Sequence, residues 1–145
     1  MSPKEKTVLV SGGFDPLHVG HVRMFKDAAN YGNVVVAINS DEWLERKKGY
    51  VFMSWEERAE IIEALEYVTT VIQFDDSDGT ACDAILKSKP YAFANGGDRK
   101  KENTPEMTLC NENDVKLLWE IGGDSKPQSS SWLVNKAIEK LNNTK

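Results

Sequence analysis

Thr7-Val8-Leu9-Val10-Ser11-Gly12-Gly13-Phe14-Asp15-Pro16-Leu17-His18-Val19-Gly20-His21 is the stretch that decides the fold. Its first four residues form a short β-rich run, and Ser11-Gly12-Gly13 breaks it. A helical pattern follows, with Val22, Phe25, Ala28 and Ala29 spaced for one buried face and a stop near Tyr31-Gly32. A strand, a glycine turn and a helix make the opening unit of a sheet whose ligands sit beyond the strands' carboxyl ends.

Working outward, Val34-Val35-Val36-Ala37-Ile38 is a continuous apolar run, as suits a parallel strand buried on both sides. The polar segment from Asn39 to Val51 has no clear period and is given no element. Ser54-Trp55-Glu56-Glu57 has capping-box spacing, with the Ser54 hydroxyl accepting from the backbone while Glu57 reaches back. The helix it opens is expected to bury Ile61, Ile62 and Leu65. Further strands are expected at 68–74, 91–94 and 115–119, with helices over 80–87, from Thr104-Pro105, and from Ser131 to Leu141. Leu133, Val134, Ala137, Ile138 and Leu141 are expected on the last helix's inner side. Alternating strands and helices predict an α/β fold, a Rossmann-like, doubly wound, five-stranded parallel sheet with helices on both faces. Residues 1–145 read as one domain, with no repeat, linker or low-complexity tract.

His18 and His21 are the chain's two histidines, three apart on a first helical turn and therefore on one side of it. Unpaired backbone N–H groups and the helix dipole already favour an anion there. Gly20 between the two histidines removes a side chain and would let a nucleotide approach the backbone. A donor aimed at charge building on phosphate oxygens is worth roughly 3 kcal/mol of barrier lowering. The competing reading is two incidental capping or surface residues.

The run Gly13-Phe14-Asp15, His18, Gly20-His21 resembles the nucleotidyltransferase superfamily marked by Gly-x-Phe-Asp-x-x-His-x-Gly-His. The resemblance implies that His18 and His21 contact the phosphates of a nucleoside triphosphate. It also implies that Gly12, Gly13, Phe14, Asp15 and Gly20 lie at the nucleotide. Downstream, Arg46-Lys47-Lys48 is either a solvated loop or a phosphate site; the resemblance puts Lys47 on the family's catalytic lysine, with Lys48 at phosphate. Arg58, in a Glu-x-Arg helix start, reads as a phosphate clamp or a structural ion pair. Gly97 and Asp98, in Asn95-Gly96-Gly97-Asp98-Arg99, read as nucleotide contacts or a plain turn. Lys126, Ser129, Ser130 and Ser131 occupy the place of the family's serine-threonine motif, and the usual arginine and glycine are absent. The motif order is closest to heptose-phosphate adenylyltransferases, with glycerol-3-phosphate cytidylyltransferases nearly as close.

The implied reaction moves a nucleoside monophosphate from CTP or ATP to a phosphorylated sugar or polyol, with Mg2+ bound alongside the triphosphate and no protein metal cage. A homodimer is implied by resemblance only. Two other readings stay open, a nucleotide-binding regulatory module without turnover and a nicotinamide- or pantetheine-type adenylyltransferase. Net charge of −5 argues against a nucleic-acid surface. No apolar run is long enough to span a bilayer, and Cys82 and Cys110 suggest reduced thiols rather than a disulfide framework. A cytoplasmic location is therefore expected.

Overall fold

The computed structural model describes residues 6–96, 104–122 and 130–143. Its elements follow the chain as β1 (Thr7–Gly12), α1 (Val19–Ala28), β2 (Asn33–Ile38), α2 (Asp41–Lys48), α3 (Trp55–Glu63), β3 (Val68–Ile72), α4 (Cys82–Ser88), β4 (Ala92–Gly96), α5 (Pro105–Glu112), β5 (Lys116–Ile121) and α6 (Ser130–Asn143). The five strands form one sheet in the order β3-β2-β1-β4-β5, and every pairing is parallel. The chain therefore winds outward from β1 to β3, then crosses back to begin again at β4. The crevice of such a sheet lies between the strands where the winding reverses, here β1 and β4.

Alternation along the central strands builds two cores. Val8 and Val10 of β1, with Val34, Val36 and Ile38 of β2, face Phe25 and Ala28 of α1 and Ala59 and Ile62 of α3. Leu9, Val35 and Ala37 point the other way, into a layer with Ala84 and Ile85 of α4 and Cys110 of α5. Successive strand residues point to opposite faces, so the uninterrupted apolar run of β2 serves both layers. Each fully buried large apolar side chain contributes roughly 1.5–3 kcal/mol against exposure.

Some expectations are corrected. Ile61 is exposed, while Ile62 carries the packing of α3. Ala29 is also exposed, one position beyond the buried stripe of α1. The segment Asn39–Val51, given no element above, contains α2. Its signals are caps rather than periodicity: the Ser40 hydroxyl accepts from the Trp43 N–H, Asp41 and Glu42 fill the first turn, and Gly49 ends the helix at φ 85°. In α6 none of the residues expected on an inner side is buried; Leu133 and Val134 are half-buried, and Ala137, Ile138 and Leu141 are exposed.

Candidate active site

The turn between β1 and α1 is built on an aromatic brace. Phe14 sits at φ 52°, a left-handed conformation uncommon for a bulky side chain, and is 4% exposed. Its ring slides beneath Gly12, where an added Cβ would lie 3.0 Å from it, so a larger residue there would press on the buried ring. The same ring meets His21 edge to face at 4.9 Å between centroids and contacts Phe25 at 5.4 Å. Phe14, expected at the nucleotide, is thus core packing that fixes one side of His21.

Both histidines cap the helix. His18 is the N-cap residue of α1, and its Nδ1 accepts from the Gly20 N–H at 3.0 Å. His21 reaches back, its Nδ1 accepting from the His18 N–H at 3.2 Å. The rings stack at 3.8 Å between centroids with 24° between planes. The capping reading of this pair is therefore correct as local structure, and it leaves the Nε2 side of each ring to be accounted for. A neutral imidazole that accepts at Nδ1 carries its proton at Nε2, so each ring becomes an N–H donor of fixed orientation. Two such donors stand at the N-terminus of α1, beside the sheet's reversal point.

Asp15 and Arg58 are placed otherwise than the sequence suggested. The Asp15 carboxylate is fully buried and accepts from the Phe52 and Met53 N–H groups, both at 2.6 Å. It pins the loop after α2 to the histidine turn, and both carboxylate oxygens are taken up by backbone N–H groups. Arg58 is 1% exposed, and its guanidinium makes four bonds to protein acceptors. Nε donates to the Met53 carbonyl at 3.0 Å, Nη1 to the Gly13 and Asn39 carbonyls at 2.8 and 2.7 Å, and Nη2 to Asp41 at 2.6 Å. The planar fork that suits a phosphate suits three convergent loops equally well, and here it holds loops. Arg58 is corrected from phosphate clamp to structural tie.

The lysine segment lies on the last turn of α2. Lys48 Nζ donates to the Asp15 carbonyl at 3.3 Å, which brings this helix end against the histidine turn. Lys47 is exposed, its ammonium 6.0 Å from the Trp43 ring centroid. From the far end of the chain, Ser130 Oγ donates to the Pro16 carbonyl at 2.6 Å and seats the start of α6 on the same turn. Ser131 is exposed beside it. Gly97, Asp98, Lys126 and Ser129 lie outside the described residues. The structure thus gathers His18, His21, Lys48 and Ser130 around residues 15–16. Among the described residues no group of three or more His, Cys, Asp or Glu side chains is placed to hold a metal ion.

Sequence reasoning did not single out the buried polar residues Asn39, just beyond β2, and Asp76, in the loop after β3, although it placed the segment 75–80 at the acceptor. An isolated Asp in a polar loop gives no signal; a run of three aspartates within Asp75–Asp78 was the one hint available. A cleft of about 430 Å³ opens beside the ends of β2 and β3, lined in part by Ser40, Trp55, Gln73 and Phe74.

The fold and site can be set beside known proteins. The Cytidylyltransferase-like family model matches residues 9–134. The Bifunctional protein HldE of Sulfurimonas denitrificans is 39% identical over 124 residues, covering 83% of this chain and 25% of the relative. The protein of the same name from Aliarcobacter butzleri is 32% identical over 124 residues, covering 83% and 25% respectively. The chain thus spans about a quarter of the length of these curated relatives. Among solved structures, a lipopolysaccharide core biosynthesis protein from Thermoplasma volcanium GSS1 superposes with TM-score 0.64 at 24% identity, over 79% of this chain and 94% of that one. That likeness speaks to the fold.

Proposed function

The chain belongs to the cytidylyltransferase-like family, and from that premise we propose that it transfers a nucleoside monophosphate from CTP or ATP to a phosphorylated sugar or polyol. A phosphate oxygen of the acceptor attacks the α-phosphorus, the bond to the bridging oxygen breaks, and pyrophosphate leaves. A phosphate monoester is largely ionised at neutral pH, so the nucleophile needs no general base. Catalysis then rests on holding the reactants in line and on donors aimed at the developing charge.

The observation that carries this reading is the stacked histidine pair, whose Nδ1 atoms are both engaged by backbone N–H groups of the α1 start. With Nδ1 accepting in each ring, a neutral pair carries its protons at Nε2, beside a helix N-terminus whose dipole favours anions. Lys47 and Lys48 would receive the triphosphate and accepting phosphate, and Ser130 and Ser131 the departing pyrophosphate. Gly97, Asp98, Lys126 and Ser129 complete the proposed nucleotide site by resemblance. Mg2+ would neutralise triphosphate charge when bound with the nucleotide. Near the histidines the carboxylates of Asp15 and Asp41 are engaged by backbone N–H groups and by Arg58, which fits a metal held mainly by substrate oxygens and water. A homodimer and a cytoplasmic location belong to the proposal; the exposed apolar residues of α6 are consistent with a partner surface.

A matrix of four nucleoside triphosphates against glycerol-3-phosphate, heptose-1-phosphate, phosphocholine and phosphoethanolamine, read by pyrophosphate release, tests the reading. One nucleotide with a polyol or sugar phosphate is expected to give release. Nucleotide binding without release across the matrix would support a regulatory module instead.

A further inference from the structure

We propose that Asp76 is the positioning residue that sets the lysines of α2 against the histidine turn, an inference whose effect on turnover rests on the transferase reading. Packing alone does not hold α2: Leu44 is the one buried residue of its eight. Isolated helices shorter than about 12 residues are marginal in water.

Arg58 ties Asp41 at its first residue, and Asp76 adds a second anchorage from the loop after β3. It is 5% exposed. Its Oδ2 accepts from the Ser40 N–H at 2.8 Å and from Asn39 Nδ2 at 3.0 Å, and its Oδ1 accepts from the Ser40 hydroxyl at 2.8 Å. The hydroxyl's one proton goes to Asp76, so its lone pairs stay turned to the Trp43 N–H at 3.1 Å, the cap of the first turn of α2. The main-chain carbonyl of Asp76 accepts from Arg46 Nη2 at 3.1 Å, in the last turn. One residue therefore holds both ends of the helix. Lys47 and Lys48 follow directly on Arg46, and Lys48 reaches the Asp15 carbonyl.

A carboxylate is what the place requires. Three donors converge on its two oxygens, whereas an amide has one acceptor oxygen and must turn an NH2 group toward at least one of those donors. Asp76→Asn keeps the volume but removes the charge, and its NH2 must either oppose an N–H donor or turn the Ser40 hydroxyl from donor to acceptor, where it competes with the Trp43 cap.

The test uses the full chain, with Asp78→Asn as control because Asp78 is exposed on the same loop and its carboxylate accepts from Thr80. In Asp76→Asn, amide exchange over residues 43–49 should quicken about tenfold, with β1 and β2 unchanged. The acceptor KM should rise about tenfold while kcat changes far less. In a cycle with Lys47→Ala the two losses in kcat/KM should fall short of multiplying, because Asp76 acts in part through Lys47. Unchanged exchange in α2, equal loosening of every segment, or fully multiplicative losses would each overturn the proposal. Should Asp76→Asn not fold, Ser40→Ala carries the same comparison by removing the hydroxyl that joins Asp76 to the helix cap. If the unaltered chain releases no pyrophosphate with any acceptor, the transferase reading alone falls. Binding of inorganic tripolyphosphate by calorimetry then decides: weaker binding in Asp76→Asn, with a loss that falls short of multiplying when Lys47→Ala is added, supports the positioning role, and unaltered affinity refutes it.

Discussion

The β1–α1 turn and the start of α6 reach the same edge of the sheet by opposite means. The turn is tied from beneath and from the side: Phe14 is buried under Gly12, Asp15 accepts two backbone N–H groups, and Arg58 grips the Gly13 carbonyl. α6 arrives with a hydrogen bond from Ser130 to the Pro16 carbonyl, and none of its described residues is buried. The difference teaches how the two would divide the work. Donors that must meet developing charge gain from being held still before substrate arrives. A segment that embraces a departing group gains from loose attachment, because low-stability elements are the ones that open.

Removing the deepest tie should have the largest effect. Arg58→Ala is expected to lower unfolding stability by about 3–5 kcal/mol in denaturant titrations, since it strands three carbonyls and the Asp41 carboxylate around an emptied site. Arg58→Lys should recover little of this, because an ammonium cannot span acceptors arranged for a planar fork. A loss below about 1 kcal/mol for Arg58→Ala would mean that the turn is held by something else. On the other side of the comparison, Ser130→Ala should cost about 1 kcal/mol or less in the same titration while raising the nucleotide KM. A stability loss matching that of Arg58→Ala would erase the contrast between the two regions.

That contrast also explains what could be read in advance. The strands were legible because their apolar runs match a sheet covered on both faces, and Val34–Ile38 does so without a polar interruption. The histidine turn was legible because glycine and histidine spacing is local. Arg58 was not decidable between its two candidate roles because its acceptors lie as far as 45 residues away in sequence, and a guanidinium fork reads alike for carbonyls and phosphates. α2 escaped because a charged helix with one buried residue has no apolar period; only its caps mark it. The inner face expected for α6 failed for the converse reason. The period is present in Leu133, Ala137 and Leu141, but the described residues provide no core beneath it.

The smallest effect concerns the far layer of the sheet. Burial pushes the Cys110 thiol up to about 11, with Cys82 and Glu106 adding to the rise. At pH 8 a thiol reagent should therefore modify the half-buried Cys82 and leave Cys110 intact until the chain unfolds. Between pH 9 and 11 the unfolded thiol ionises while the folded one keeps its proton, so this group's contribution to stability should fall as pH rises through that window. Rapid modification of both thiols in the folded chain would show that the α4–α5 layer opens readily.

The histidine pair itself is best examined by the pyrophosphate-release rate of His18→Ala and His21→Ala at saturating nucleotide and acceptor. Each cap should cost about 1 kcal/mol of stability or less, leaving the fold in place by circular dichroism. Each variant should also lose at least about 100-fold in kcat. Near-normal kcat in both variants would show that two well-made helix caps had been mistaken for an active site.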